Sequence, residues 1–301
     1  MNKKLQIAIL SRGPSLYSTR SLYLAGVSRG HRMMVVDHMR CNLVVESGKS
    51  SVLYYGNRFA DVSAIIPRIG ASVTAHGSAV IRQFELMGKY TTLTSSALLL
   101  ARNKFSCLQV LAANGVGVPK TLLPTSNTMA YHSLDHLKGP PYIIKMARGT
   151  HGMGVLKATN KADAVHLLDS LHELKGMVVL QEYIRESSGR DVRIIVVGDE
   201  VVATMERKSE GDDFRSNLHL GGSSRVIQIS QEEEKTAIRA VKLMGLEVAG
   251  VDILQSNRGP LVLEVNASPG LEGIEKTTGI DISSKIIELV EKKLLPGESK
   301  G

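Results

Sequence analysis

Two short apolar runs near the end of the chain, residues 250–254 and 261–266, are separated by Gln255-Ser-Asn-Arg-Gly-Pro260. Turn formers between runs of Val, Leu and Ile specify a β-hairpin. Each run carries polar groups among its apolar ones: Asp252 in the first, Glu264 and Asn266 in the second. Side chains two apart on a strand share a face, so Glu264 and Asn266 point the same way and Asp252 on the partner strand can face them. Two carboxylates and an amide oxygen are hard ligands, suited to magnesium held together with nucleotide phosphates. Spacing alone fits the solvent face of an ordinary hairpin equally well. The apolar setting favours the cation, because a carboxylate among buried residues needs a partner.

The chain has 301 residues, 43% of them hydrophobic, enough for a large core and two or three domains. No apolar run reaches the ~18 residues that a membrane helix needs, so no membrane partner is expected. The N-terminal apolar run, Leu5–Leu10, is too short for a signal peptide, and Ser11-Arg12-Gly13 follows it without a small-residue cleavage site. It reads as a first strand, and the expected location is the cytoplasm. Cys41 and Cys107 have no metal-ligand spacing and are expected to be free thiols. Lys plus Arg is 37 against 29 for Asp plus Glu, a net charge of +8. Such a surplus can attract nucleic acid, acidic protein tails or small anions. With 4% aromatics and no basic run, a base-stacking surface is not indicated, and direct nucleic-acid binding is not expected.

Through Met87 the chain alternates strand and helix patterns. Strands are predicted at Leu5–Leu10, Met33–Val36, Val52–Tyr55 and Ala64–Ile66, and helices at Tyr17–Arg29 and Ala75–Met87. That alternation predicts a parallel doubly wound sheet, whose ligands sit beyond the carboxyl ends of the strands. Arg12 and Arg68 follow two such ends. They are either contacts for an anionic substrate or solvated loop residues.

Further helices are predicted at Lys104–Asn114, Lys161–Glu173, Gln231–Gly245 and Ser283–Lys293. A strand, Tyr142–Met146, carries Lys145 and precedes the glycine-rich turn Gly149-Thr-His-Gly152-Met-Gly154. Such a turn offers backbone amides to phosphate, and the strand lysine can meet the same oxygens. The turn lacks the Gly-Lys-Ser/Thr ending of a P-loop and joins strand to strand, which argues against a dinucleotide fingerprint. The strand at Met177–Ile184 turns polar at Glu182, which could accept from an adenine amino group while the Tyr183 backbone meets a ring nitrogen. A second hairpin joins Asp191–Val197 to Val201–Arg207. The polar stretch from Lys208 to Ser224 is either a functional loop or a mobile surface segment.

Taken together, Lys145 with its glycine turn, Gln181-Glu182-Tyr183-Ile184, and Asp252 followed by Glu264-Val-Asn266-Ala-Ser-Pro-Gly270 resemble an ATP-grasp ligase, in that family's order. Val248–Asp252, Gly259–Asn266, Ala267–Asp281 and Phe214-Arg215-Ser216-Asn217 are closer still to the RimK-type glutamate ligases. These add glutamate to the carboxyl terminus of the sixth protein of the small ribosomal subunit. The resemblance implies an α/β and α+β ATP-grasp fold with an N-terminal doubly wound parallel-sheet domain. It implies three domains, 1–103, 104–184 and 185–301, and a homo-oligomer, a tetramer. Carried over by motif position, Lys104 and Lys145 would meet phosphates, Glu182 and Tyr183 the adenine, and Asp191 the ribose. Arg215, Ser216 and Asn217 would line the nucleotide. Asp252, Glu264 and Asn266 would hold two Mg2+ or Mn2+ ions.

One departure matters. D-alanine–D-alanine ligases carry an arginine two residues before the first metal aspartate, where this chain has Gly250. Arg207 is the candidate for the missing catalytic charge. The implied reaction passes through an acyl phosphate and releases ADP and phosphate. A carboxylate made electrophilic in this way needs no protein nucleophile, so the lack of a Ser/His/Asp or Cys/His constellation is expected. Two other readings stay open. One is an ATP-grasp ligase joining another amino acid to a small-molecule or peptide acceptor. The other, suggested by the charge of +8, is a non-enzymatic nucleotide-binding or ribosome-associated protein.

Overall fold

The computed structural model describes residues 4–125, 127–146, 155–172, 177–209 and 222–295. The chain opens with β1 (Gln6–Leu10), α1 (Tyr17–Ser28) and β2 (Arg32–Val36), then β3 (Cys41–Glu46), β4 (Lys49–Tyr54), β5 (Asn57–Arg58) and β6 (Ala64–Pro67). After α2 (Thr74–Leu86) come β7 (Tyr90–Thr91), α3 (Ser95–Arg102) and α4 (Lys104–Ala113). Strands β2-β1-β6-β7 form a four-stranded sheet in which every pair is parallel. Leu10 pairs with Pro67, so Ser11 and Arg68 leave the sheet at the same end.

One expectation fails here. The strand at residues 52–55 is not part of the parallel sheet. It belongs to β4, in a separate antiparallel sheet β3-β4-β5. Glu46 pairs directly with Lys49, and Gly48 takes φ +72° in the two-residue connection. A connection that short can join only antiparallel neighbours.

The middle of the chain holds β8 (Thr121–Leu122), α5 (Asn127–Ser133), β9 (Tyr142–Met146), β10 (Val155–Ala158), α6 (Lys161–His172) and β11 (Val178–Glu182). Its antiparallel sheet runs β10-β9-β11-β8. The last part holds β12 (Arg190–Val197), β13 (Glu200–Lys208), β14 (Ser223–Val226), α7 (Gln231–Leu243), β15 (Val248–Ser256), β16 (Gly259–Asn266), α8 (Glu272–Thr278) and α9 (Ile282–Leu294). Its five-stranded sheet runs β14-β13-β12-β15-β16. Helix α7 starts in a capping box: Ser230 Oγ accepts from Glu233 N, and the Glu233 carboxylate accepts from Ser230 N.

Buried apolar residues from β1, β6 and α2 continue without a break into β12, β15, β16 and α7. A second core joins β1 and α1 to β13, α8 and α9. The β10-β9-β11-β8 sheet packs its own core around Tyr142, Ile144, Leu168 and Leu180. The connector after α4 lies against the β15–β16 hairpin, where Gly117 O accepts from Val262 N at 2.8 Å. A Cβ at Gly117 would stand 2.6 Å from Pro260 O, so this approach requires glycine. Among the described residues no helix is long and apolar enough to cross a membrane.

Candidate active site

Cross-strand register assembles a row of charges on one face of the five-stranded sheet. Asp191 and Arg193 lie two apart on β12 and so share a face. Arg207 on β13 stands directly opposite Asp191, and Asp252 on β15 directly opposite Arg193. Glu264 on β16 stands directly opposite Asp252, and the register shifts just after that pair. The hairpin geometry expected for Asp252, Glu264 and Asn266 is therefore what the ladder provides.

The row is tightly paired. Arg193 Nε and Nη2 donate to the two Asp252 oxygens at 2.7 and 2.6 Å. Arg207 Nε and Nη2 donate to the two Asp191 oxygens at 2.7 and 2.6 Å. Arg207 Nη2 also lies 2.9 Å from Asp252 Oδ2, which ties the two pairs together. Asn266 Nδ2 donates to Glu264 Oε1 at 3.0 Å, and Lys104 Nζ is 3.8 Å from Glu264 Oε2. Burial opposes the charge on Asp252, yet Arg193 and then Arg207 hold its carboxyl far below the usual carboxylate range. Burial likewise opposes the Arg207 cation, but Asp252 and Asp191 raise its pKa above the ordinary value.

Gly250 explains the departure noted in the sequence. A Cβ there would lie 3.0 Å from Pro269 Cβ and 3.4 Å from Ile195 Cδ1. Any side chain there would have to push Pro269 back by a few tenths of an ångström. The positive charge beside Asp252 comes instead from Arg193 and Arg207 on neighbouring strands.

Across the cleft, Lys145 Nζ on β9 donates to Gln181 Oε1 at 2.7 Å, and Gln181 Nε2 donates to Thr121 Oγ1 at 2.8 Å. An ammonium only donates, so it is the amide oxygen of Gln181 that meets the lysine. Burial pushes the Lys145 ammonium down to about 8; Glu264 opposes the shift and Lys104 adds to it. Glu182 Oε1 accepts from Lys120 N at 2.7 Å and from Arg258 Nη2 at 2.6 Å, so one of its oxygens is committed within the chain. The Tyr183 hydroxyl meets Ser188 Oγ at 2.6 Å, and Lys157 Nζ lies 5.3 Å from its ring centre.

Lys145, Gln181, Glu182 and Tyr183 line one cavity of about 910 Å³ together with the charge row. It brings together Lys104, Lys145, Glu182, Tyr183, Asp191, Arg207, Asp252, Glu264 and Asn266, with Arg68 and Arg102 at its N-terminal side. Arg12 is exposed, its guanidinium beside Gly70. The turn at Gly149–Gly154 and residues Arg215, Ser216 and Asn217 lie outside the described residues. Sequence reasoning missed Arg193 and Arg102. The signal for Arg193 was present, two residues from Asp191 on the same strand. Arg102, one basic residue at a helix end, gave none.

Residues 101–290 match the family model described as the RimK-like ATP-grasp domain, and residues 5–98 the one described as the RimK PreATP-grasp domain. A probable alpha-L-glutamate ligase of Ectopseudomonas mendocina is 48% identical over 98% of both chains. Another, from Syntrophotalea carbinolica, is 45% identical over the same shares. Among solved structures, the ATP-grasp ligase PsnB complexed with minimal precursor, Mg and ADP has a TM-score of 0.74 at 22% identity, covering 98% of this chain and 99% of that one. The D-alanine–D-alanine ligase of Bacillus anthracis has a TM-score of 0.69 at 16% identity, covering 98% of each. Every residue of the cleft falls within the two matched segments, and the relatives are alike from end to end: the chain belongs to the RimK-like ATP-grasp family of ATP-dependent carboxylate–amine ligases.

Proposed function

We propose that the chain joins the α-amino group of L-glutamate to the C-terminal carboxylate of an acidic ribosomal-protein tail, using ATP and passing through an acyl phosphate. The observation that carries this reading is the pairing of Lys145 and Lys104 with a one-face row of oxygen donors, Asp252, Glu264 and Asn266, in a single cleft. The relatives named as glutamate ligases support the amino acid. The net charge of +8 supports an acidic tail, since long-range attraction raises its local concentration. The reaction is placed in the cytoplasm, where ATP and ribosomal proteins meet. In this reading the chain divides into the units 1–103, 104–184 and 185–301.

The donor set suits a hard cation. It is all oxygen, with an amide as third member beside the two carboxylates. Asp252, Glu264 and Asn266 would hold Mg2+ or Mn2+, which when bound neutralises phosphate charge. Lys104 and Lys145 bind phosphate oxygens. Glu182 and Tyr183 border the adenine, Asp191 the ribose, and Arg215, Ser216 and Asn217 complete the nucleotide side. Arg207, held between Asp191 and Asp252, stabilises charge on the phosphoryl group in flight.

An acceptor carboxylate oxygen attacks the γ-phosphorus, the bond to the β-phosphate oxygen breaks, and ADP leaves. The glutamate amine, having lost a proton, attacks the acyl carbon. The C–O bond to phosphate then breaks, and phosphate departs carrying the acceptor's oxygen. Hydroxylamine supplied with ATP and an acidic-tailed acceptor, glutamate omitted, should therefore yield an acceptor hydroxamate. Release of AMP and pyrophosphate would replace this route with adenylation. A different peptide acceptor is the second reading, favoured by a PsnB structure complexed with a precursor peptide.

Lys145 makes the nucleotide step pH-dependent. In the free chain its ammonium is charged below about 8 and loses its proton above that. A bound phosphate favours the charged form, so ATP binding between about 8 and the free-lysine value takes up a proton. Calorimetry in buffers of differing ionisation heat should show that uptake, with affinity falling as pH rises. Lys145→Met should abolish the uptake and weaken ATP binding by about 10- to 100-fold. Unchanged proton uptake in the variant would remove Lys145 from the phosphate site.

A further inference from the structure

Two arginines at the N-terminal side of the cleft are not used by the chemistry above. Arg68 follows β6, and its Nη2 donates to Pro269 O at 2.6 Å. Arg102 ends α3, and its Nη2 donates to Ile69 O. Arg102 Nε is buried with no partner among the described residues. Neither guanidinium has a carboxylate within 4.0 Å among those residues, so both are held by carbonyls, which solvate a cation without neutralising it. In the charge row, by contrast, three carboxylates face Arg193, Arg207 and Lys104.

The nearby acids are committed elsewhere. Glu275 Oε1 accepts from Ile282 N and Ser283 N at 3.0 and 3.1 Å. Glu264 serves Asn266 and Lys104. Burial and then the neighbouring Arg102 push the Arg68 pKa down to about 10, and burial lowers that of Arg102. Two like charges in a partly desolvated wall, one with an orphaned N–H, are costly unless an anion joins them. A purely structural role accounts for one Nη2 on each residue and leaves the remaining donors without purpose.

The setting names the kind of anion. Pro269, which Arg68 holds, lies three residues past Asn266, and Leu271 N donates to Ser18 Oγ at 3.0 Å. The segment leaving the oxygen-donor row is thus latched to the N-terminal sheet end beside the two arginines. We propose that Arg68 and Arg102 form a subsite for a substrate carboxylate that is not itself phosphorylated, an inference that rests on the ligase reading above. Planar guanidinium forks match a carboxylate's two oxygens. Two substrates offer this group: the incoming glutamate, and the acidic side chains of the acceptor tail.

The test is equilibrium binding on the full chain, without turnover. Glutamate and a synthetic acidic C-terminal peptide are titrated separately into wild type, Arg68→Met, Arg102→Met and Arg102→Lys. The two Met variants should lose about 10-fold or more in affinity for one of these ligands, with ATP affinity unchanged, and Arg102→Lys should recover part of the loss. A loss confined to glutamate assigns the subsite to the amino acid; a loss confined to the peptide assigns it to the tail. Equal affinity of both ligands for wild type and the Met variants overturns the subsite, as does failure of wild type to bind either. Because binding is read without chemistry, a failed hydroxamate assay would refute the acyl-phosphate route on that acceptor independently of this result.

Discussion

Glu264→Gln leaves the chain folded and lowers ATP turnover by about 100-fold or more, the scale of losing one preorganised charge contact in a catalytic site. The two halves of that expectation have separate causes. Glu264 is half-buried, and its partners are Asn266 Nδ2 and, at 3.8 Å, Lys104. Glutamine keeps the shape and can still accept from Asn266. The lost Lys104 contact is long and partly exposed, worth less than about 1 kcal/mol. Stability therefore hardly moves, while an anionic oxygen disappears from the face proposed to hold the metal against the phosphates. A melting curve beside a steady-state ADP assay checks both halves. Near-wild-type turnover in the folded variant would remove Glu264 from the proposed metal site.

Arg207→Met, unlike Glu264→Gln, strikes the fold itself and costs about 3–5 kcal/mol of stability, the range for breaking a buried ion pair. Arg207 is 3% exposed and is the only described residue that bridges both Asp191 and Asp252. Its removal leaves Asp191 buried without its bidentate partner and Asp252 dependent on Arg193 alone. The double variant Arg207→Met with Asp191→Asn should regain part of the loss, since the carboxylate that lost its bidentate partner is then gone. Denaturant unfolding of the single and double variants measures this. A single variant as stable as wild type would mean that the row is not held by these pairs.

The contrast between Glu264 and Arg207 also marks what was legible in the sequence. Asp252, Glu264 and Asn266 were readable because period-two alternation between turn formers fixes which side chains share a face. The partners of Asp252 were not, because Arg193 lies 59 residues away and meets it only through the β12–β15 register. The β3-β4-β5 sheet was missed for a related reason: a Ser47-Gly48 connection looks like any loop unless both flanking strands are recognised. Strands as short as β7 and β8 carry too few residues to show a period. The crowding of Gly250 by Pro269 depends on how the segment after β16 folds back, which no local pattern records.

The most direct measurement is mass spectrometry of an acidic-tailed small-subunit ribosomal protein after incubation with the chain, ATP, magnesium and glutamate. The account predicts mass increments of whole glutamate residues confined to the C-terminal peptide, with ADP and phosphate released, and no increment when the terminal carboxylate is amidated beforehand. Glutamate found on an internal side chain, or on the amidated acceptor, would contradict it.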